Sequence, residues 1–349
     1  MKAKKSLMLA FFICLALIVT SLPFMTSCAK PAQQPKPEWP KAQVWSGVSS
    51  GATSTIMAIA LAELITKELG IRVAVQPSAS ATEGLTRTIN RDSDLCITTT
   101  YDLYQAYRGL DVFEGKEKGL VRALVGQYVS LSHIVAKKDI KKFEDIKGKR
   151  VMIKAPAAQA HDILTKACLD AYGMKYDDFI AMPRLGDKEI VAAMKDGTTD
   201  VAFFPGHPPA PFFIELATDI DVNFIPIDEN KAKAICQRLP FYTYQSIPAG
   251  TYRGQDKDVM CVGFTMTMAV RKDFPEDLAY EVVKILFDNL KELGNVHPVY
   301  KKLDLKIATD YQGGPYHSGA VTYYKKRGIW TPELEAMQQR TLAELGQQK

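Results

Sequence analysis

The sequence predicts an α/β protein built as two lobes, and three observations predict it. Strand-like apolar runs alternate with amphipathic helical stretches along most of the chain, the rhythm of a parallel or mostly parallel sheet covered by helices. The alternation breaks at two successive strand-like runs, Val121–Tyr128 and Leu131–Ala136, and then starts again. About 310 residues follow the N-terminal segment, which suits two cores better than one. Two α/β series with strand-rich joins imply a chain that crosses between lobes twice. The expected lobes are 42–132 plus 262–349, and 133–261.

The first series opens with a strand at Gln43–Trp45 and a helix over Thr55–Leu69, where Ile56, Ile59, Ala60, Leu64 and Ile65 recur on one helical face. Ile71–Gln76 is the next strand. Ser80 and Glu83 have capping-box spacing, so a helix starts there. Leu95–Thr100 gives a third strand and Tyr101–Tyr107 a third helix. The second series begins at Arg150–Lys154 after a charged stretch, 137–149. Helix Asp162–Tyr172, a strand near Ile180–Arg184, helix Asp187–Lys195 and strand Asp200–Phe204 follow. Helix Phe212–Ala217 leads to a strand at Val222–Ile227. A third section starts with a strand at Val259–Val270 and ends in helices Pro275–Leu293 and Pro332–Leu345. No solenoid-type repeat is present.

The N-terminus predicts export. Lys2, Lys4 and Lys5 precede an apolar run of 13 residues, Leu7–Val19, and the small-residue stretch Met25-Thr26-Ser27-Cys28 follows. This is the order of a secretory signal peptide, 1–27, and small residues directly before a cysteine have the pattern of a lipobox, with Cys28 the lipidated first residue of the exported chain. The alternative is an ordinary cleaved signal with Cys28 incidental. The run is shorter than the ~20 apolar residues of a membrane span. Pro, Gln and Lys dominate the next stretch, so 28–41 reads as a flexible tether. The expected location is periplasmic or otherwise extracytoplasmic, with the protein tethered by lipid. Net charge is +5, and loss of the three leader lysines leaves +2. That balance, with no basic run interleaved with aromatics, gives no reason to expect nucleic acid as a partner. Cys96, Cys168, Cys236 and Cys261 show no C-x-x-C spacing. Buried free thiols are the expected state, with a Cys236–Cys261 disulfide the alternative in an oxidising compartment.

Residues 46–54 read SGVSSGATS and contain G-x-S-x-G centred on Ser49. A nucleophile elbow draws part of its oxyanion hole from a loop after an earlier strand. Ser49 lies on the first strand, so that loop has no source. The chain has five histidines, none in an evident acid–histidine context. A secreted serine esterase using Ser49 is therefore the weaker reading, and a Gly/Ser/Thr turn offering helix N–H groups to an anion is the stronger. The composition recurs at the next two strand–helix junctions, Ser78-Ala79-Ser80-Ala81-Thr82 and Thr98-Thr99-Thr100-Tyr101. Strand ends of an open α/β sheet lie on one side, where ligands bind. Ser49, Ser50, Gly51, Thr53, Ser78, Ser80, Thr82, Thr99 and Tyr101 are thus the expected wall of one lobe. Gln159 and His207 are the expected contacts from the other, with Arg184 as a carboxylate clamp. Arg87 reads as an exposed helix residue and His161 as a solvent-facing or capping one. Paired carboxylates, metal-ligand spacing and a Cys–His pairing are not evident, so a non-catalytic, monomeric binding protein without cofactor is expected.

Two longer stretches carry a family likeness. One is Ile247-Pro248-Ala249-Gly250-Thr251-Tyr252 running into Gly254-Gln255-Asp256, with Phe241-Tyr242 just ahead. The other runs from Asp196-Gly197 through Asp200-Val201-Ala202-Phe203-Phe204 to Gly206 and Pro208-Pro209. Asp145-Ile146-Lys147-Gly148-Lys149-Arg150-Val151 and the opening Gly/Ser/Thr turn support them. From about Val44 to His317 the chain resembles the TAXI family, the extracytoplasmic solute-binding subunits of TRAP transporters. The resemblance implies a bilobed periplasmic-binding-protein fold, type II-like, with a hinge near 129–135 and 246–262. It implies capture of a small organic anion, often an amino acid or a dicarboxylate, and delivery to permease subunits driven by an ion gradient. A binding module for a sensor or an ATP-driven importer is the neighbouring alternative. The family's Tyr-Tyr, Gly-Gly-Ser and Gly-Ser-Gly-Thr turns are replaced here by Ser49–Ser54, Ser78–Ala81 and Ala157–Ala160. Those departures lie on the ligand wall and count against glutamate itself; loss of the tyrosine leaves room for a bulkier or less polar acid.

Overall fold

A computed structural model describes residues 39–345 apart from 51, 154–157 and 304. The leader, Cys28, most of the tether, Gly51 and Ala155–Ala157 lie outside the described residues. The first series is β1 (Ala42–Ser46), α1 (Thr53–Leu69), β2 (Arg72–Gln76), α2 (Ala81–Ile89), β3 (Leu95–Thr99) and α3 (Thr100–Arg108). A 17-residue strand, β4 (Val121–Lys137), leads out of it. The second series comprises β5 (Arg150–Ile153), α4 (Gln159–Ala171), β6 (Ile180–Ala181), α5 (Asp187–Lys195), β7 (Val201–Gly206), α6 (Pro211–Asp219) and β8 (Val222–Phe224). Helix α7 (Glu229–Arg238) and strand β9 (Thr243–Ile247) precede the long return strand β10 (Val259–Arg271). The chain ends in α8 (Glu276–Asp288), α9 (Leu290–Val296), α10 (Val299–Lys302), α11 (Leu305–Thr309), α12 (Ser318–Lys326) and α13 (Pro332–Ala343).

The strands form one ten-stranded sheet in the order β2-β1-β3-β10-β4-β7-β5-β6, with β8 beside β4 and β9 beside β10. The pairs β1–β2, β1–β3, β5–β6 and β5–β7 are parallel. The two long strands run antiparallel to each other and to their neighbours, so the sheet is mixed rather than mostly parallel. β10 pairs β9 through Val259–Gly263 and β3 through Met266–Val270. β4 pairs β7 only from Leu131 onward. Each long strand therefore belongs to one set of neighbours at one end and another set at the other. The two strand-like runs expected at 121–136 are one strand, because β10 supplies partners across their junction and two register shifts absorb the irregularity. Gln127 sits at one of those shifts, fully buried, with neither amide atom hydrogen-bonded.

Local chemistry explains most boundaries. Gly70 closes α1 in the left-handed conformation, φ 72°, with its N–H on the Thr66 carbonyl. Ser80 caps α2 by accepting the Glu83 N–H at 3.1 Å, and the Glu83 carboxylate takes the Ala79 N–H at 2.8 Å. The capping pair is thus present with its return bond one residue earlier than the box places it. The helix expected over 275–293 breaks at Asn289, whose amide bonds the Ile285 carbonyl and Glu68. Ile59 faces outward rather than inward. The buried face of α1 is centred on Met57, Ala58, Leu61, Leu64 and Ile65. Ile59 instead lines a 510 Å³ groove between α1 and the edge strand β2, along with Val73 and Val75.

One core joins Trp45, Leu61, Ile97, Val125, Met268 and Leu286 to Phe143 and Phe203. A second, under β7 and α6, contains Met152, Phe204, Phe213, Phe224 and Tyr252. The Ile247–Tyr252 motif builds that second core. Tyr252 donates to His133 Nε2 at 3.0 Å and accepts the Ala210 N–H at 3.2 Å, while Gln255 Nε2 holds the Ile247, Pro248 and Lys257 carbonyls. Burial, including a ring stacked 3.8 Å from Phe213, pushes the His133 imidazole down to about 3, so it stays neutral. Cys96, Cys168, Cys236 and Cys261 are free thiols, and burial pushes the Cys168 thiol up to about 12.

Candidate functional site

The parallel strands β1, β2 and β3 end at Ser46, Gln76 and Thr99, and each gives directly onto a helix. At the first junction the Gly47 N–H binds the Gln76 carbonyl at 2.9 Å and the Val48 N–H binds Thr55 Oγ1 at 2.9 Å. The turn leaves Ser49 and Ser50 exposed and Thr53 half-buried. Ala52 stands at the N-cap of α1, contributes no side-chain bond, and the first turn holds no acidic residue. The N-cap residue thus gives the positive end of this 17-residue helix no side-chain bond, and the Tyr128 phenol is the side chain that takes the Ser54 N–H.

Two other segments meet this helix start. Ser54 lies against the Tyr128 phenol, which burial pushes well up from its ordinary range. The Tyr128 ring meets His207 edge-on at 5.2 Å. His207 donates from Nδ1 to the Val129 carbonyl at 2.9 Å, which leaves Nε2 as the acceptor in the neutral ring. Burial lowers its pKa, and Lys302 and His297 lower it further. His297 accepts the Val299 N–H on Nδ1 at 3.2 Å, so its neutral tautomer carries the proton on Nε2. Tyr300, between His297 and Lys302, anchors α10 by donating to the Met57 carbonyl of α1 at 2.6 Å. A helix start, a lysine, two histidines and a phenol therefore come from four separate stretches of chain. The helix start, the Lys302 ammonium and the His297 Nε2–H suit a negatively charged group, while the neutral His207 ring presents an acceptor to a hydroxyl or N–H of the solute.

The other junctions are spent internally. Ser78, buried, bonds the Gly47 carbonyl at 2.6 Å and so ties the second turn to the first. Ser80 is occupied as a cap. Thr82 and Thr99 both donate to Asp102, at 2.7 and 2.6 Å, and the Asp102 N–H returns a bond to Thr99 at 3.0 Å. Asp102 is 1% exposed. Tyr101 is not in the wall at all. It is buried against Phe241 and Tyr242 and donates to Asp111 at 2.8 Å. Arg184 is paired with Asp162, which also accepts the Tyr176 hydroxyl at 2.9 Å, so its guanidinium is already engaged. His161 is buried against Ser132, with Oγ 2.9 Å from Nε2, rather than capping or facing solvent. Gln159 opens α4 with its Oε1 buried and without a hydrogen bond. Ser132–His161 is the one serine–histidine hydrogen bond among the described residues, and Ser49 has no such partner.

Of the expected residues, Ser49, Ser50, Thr53 and His207 keep groups available. Ser78, Ser80, Thr82, Thr99, Tyr101 and Arg184 are engaged elsewhere. Sequence reading missed Tyr128, Lys302, His297 and Asp102. His297-Pro298 followed by Lys301-Lys302 was the one local hint.

Burial pushes Asp102 up to about 6, with the Thr99 and Thr82 hydroxyls pulling it back. A raised carboxylate contributes stability that is complete below the ordinary value of 3.8 and lost as pH rises through the folded one. Asp102→Asn keeps hydrogen-bonding capacity and removes the buried charge. It is expected to be up to about 3 kcal/mol more stable than the wild type at pH 8, with the gap closing between pH 6 and 4. Urea melts at pH 8 and pH 4 check this, and an equal gap at both would show that the charge is not the cause.

A mixed α/β sheet whose two longest strands are shared between both ends is the fold of the periplasmic binding proteins. The chain belongs to the NMT1-like family, whose model matches residues 49–328. Among solved structures, PhnD1 from Prochlorococcus marinus in complex with methylphosphonate matches with a TM-score of 0.51 and 11% identity, over 83% of this chain and 100% of that one. The periplasmic aliphatic sulphonate binding protein SsuA from Escherichia coli gives 0.46 and 12%, over 84% and 90%. The amino acid ABC transporter substrate-binding protein AbpA from Streptococcus pneumoniae, bound to L-arginine, gives 0.43 and 14%, over 75% and 94%.

Proposed function

We propose that this protein is an extracytoplasmic solute-binding receptor that takes a small organic anion and hands it, unchanged, to a membrane permease. The observation that carries this reading is the α1 start meeting Tyr128 and His207, with the segment that bears His297 and Lys302 tied to α1 through Tyr300. Membership of the NMT1-like family and the periplasmic-binding-protein fold support it. The anion's head rests on the α1 N–H groups and on Ser49, Ser50 and Thr53, with Lys302 and the His297 Nε2–H as further donors. His207, and Gln159 opposite, close from the segment 133–261, which moves as one lobe against 42–132 plus 262–349. The hinge lies where β4 and β10 change neighbours, and the ligand must favour the closed form for the permease to sense it. The motifs at Ile247–Tyr252 and Asp196–Pro209 favour a TRAP-type permease, driven by an ion gradient, over an ATP-driven importer. Export through the 1–27 leader and a lipid on Cys28 place the receptor at the outer face of the membrane.

A thermal-shift screen of small organic acids tests the reading. A true ligand at 100 times its dissociation constant adds ~2.7 kcal/mol of stability. Lys302→Ala is expected to weaken it about tenfold, the scale of one hydrogen bond to a charged group. No stabilising acid, or full affinity in the Lys302 variant, would sink it. A serine-reactive phosphonate should leave Ser49 unlabelled; labelling lost in Ser49→Ala would establish the esterase instead. Uptake in vesicles with an ion gradient but no ATP separates the two permease classes.

A further inference from the structure

We propose that Asp102 makes the site selective for solutes with a single acidic head, excluding dicarboxylates; this rests on the organic-anion reading above. The three strand–helix junctions lie at the same end of β2, β1 and β3, and among the described residues the first is the one that leaves its serines, Ser49 and Ser50, exposed. At the third, the protein's own carboxylate has taken the place a ligand's would fill. Asp102 holds the hydroxyls of Thr82 and Thr99. The other threonine hydroxyls there are spent on backbone carbonyls, Thr100 on Phe241 at 2.7 Å and Thr98 on Ala81 at 3.4 Å.

The surroundings of Asp102 are acidic on more than one side. Asp111 acts on it from the segment after α3. From the other half of the molecule, Asp162 acts on the same Tyr242 phenol that Asp102 does. Tyr242 itself bridges the halves, stacking on Tyr101 and donating to the Ala160 carbonyl at the start of α4, 2.7 Å away. The charges are therefore divided. Lys302 and the α1 dipole give one junction its positive field, with His297 and His207 neutral beside them, while Asp102, Asp111 and Asp162 are the acidic groups on the other side, Asp162 paired with Arg184. A solute seated by one carboxylate on α1 would turn its other end away from that positive end and toward the junction that Asp102 fills. A second carboxylate there would find its donors occupied and fixed negative charge in a poorly solvated place, which is costly. A neutral tail would meet neither penalty.

Titration calorimetry on the full protein with chain-matched pairs, butyrate against succinate and hexanoate against adipate, tests the assignment. The wild type is expected to bind the monoacid of at least one pair about tenfold more tightly than its diacid, a difference of about 1.4 kcal/mol. Asp102→Asn is expected to shrink that ratio while leaving monoacid affinity within about threefold, since Asp102 does not touch the α1 head site. A wild type that prefers the diacid, or a ratio unmoved in a folded Asp102→Asn, overturns the assignment. The wild-type ratio needs no variant and decides the case if the variant does not fold. Should neither acid of any pair bind the wild type, the organic-anion reading fails first and takes this inference with it.

Discussion

Gly263→Ala will cost the fold about 3 kcal/mol, the upper range for overpacking a filled interior. A β-carbon at 263 would lie 2.2 Å from the Ser130 carbonyl oxygen and 2.9 Å from the Leu131 Cα. Both are backbone atoms of β4, so no side chain can swing aside. Gly263 pairs with Leu131 where β10 leaves β9 behind and where β4 first meets β7. The two long strands approach tightly at the point proposed as the hinge, and only a residue without a β-carbon permits that approach. Urea unfolding checks the effect: the midpoint should fall with little change in slope. A loss below about 1 kcal/mol would show that the strands separate there at small cost. Ligand closure should suffer as well, since the substitution wedges the strands that both halves share.

Asp200→Ala is expected to cost less, about 1.5 kcal/mol at pH 7, because it removes the shared acceptor of two partly exposed cations that water can then solvate. Asp200 accepts Arg150 through both carboxylate oxygens, at 3.0 Å from Nε and 2.6 Å from Nη2, and Lys137 Nζ at 2.8 Å. The Arg150 N–H adds a fourth bond at 3.0 Å. Arg150, first among these, holds the carboxylate far below its usual range. A depressed carboxylate contributes stability that is present above the unfolded value of 3.8 and lost as pH falls below it. The gap between wild type and variant should therefore be full at pH 7 and shrink below pH 4. A gap that persists unchanged at pH 3 would assign the loss to packing rather than to charge. This cluster joins the end of β4 to β5 and β7, so its failure should loosen that half of the sheet before the half built on β1–β3.

The two motifs that carry the family likeness turn out to be pins of the fold. Asp200 holds Arg150 and Lys137, and the Gly197 carbonyl accepts from both cations at 2.8 and 3.2 Å. Tyr252 and Gln255 tie the β9–β10 turn to the second core. Family membership is legible in such residues because the backbone constrains them from several sides at once. The ligand wall is read differently. Ser80 and Thr99 were visible as small polar residues before helices, and they are caps. Thr82 and Thr99 looked like donors for a solute, yet Asp102, three residues past Thr99, consumes both. That acceptor was in plain view in the sequence; which hydroxyls it would take was not.

The sequence by itself determined the order of strands and helices through β8, the long strand β10, and the flanks of the last section, but not α7, β9 or α10–α12. The former depend on side-chain period, caps and glycine turns, all set by residues within one or two helical turns of each other. Tertiary structure decided that the sheet is mixed and continuous, and which polar groups stay open. His207 meets Tyr128 edge-on across 79 positions of sequence, and Arg184 is claimed by Asp162 from a neighbouring helix. A buried donor takes whichever acceptor packing brings within 3 Å, and packing is settled by the whole sheet rather than by any one stretch of chain.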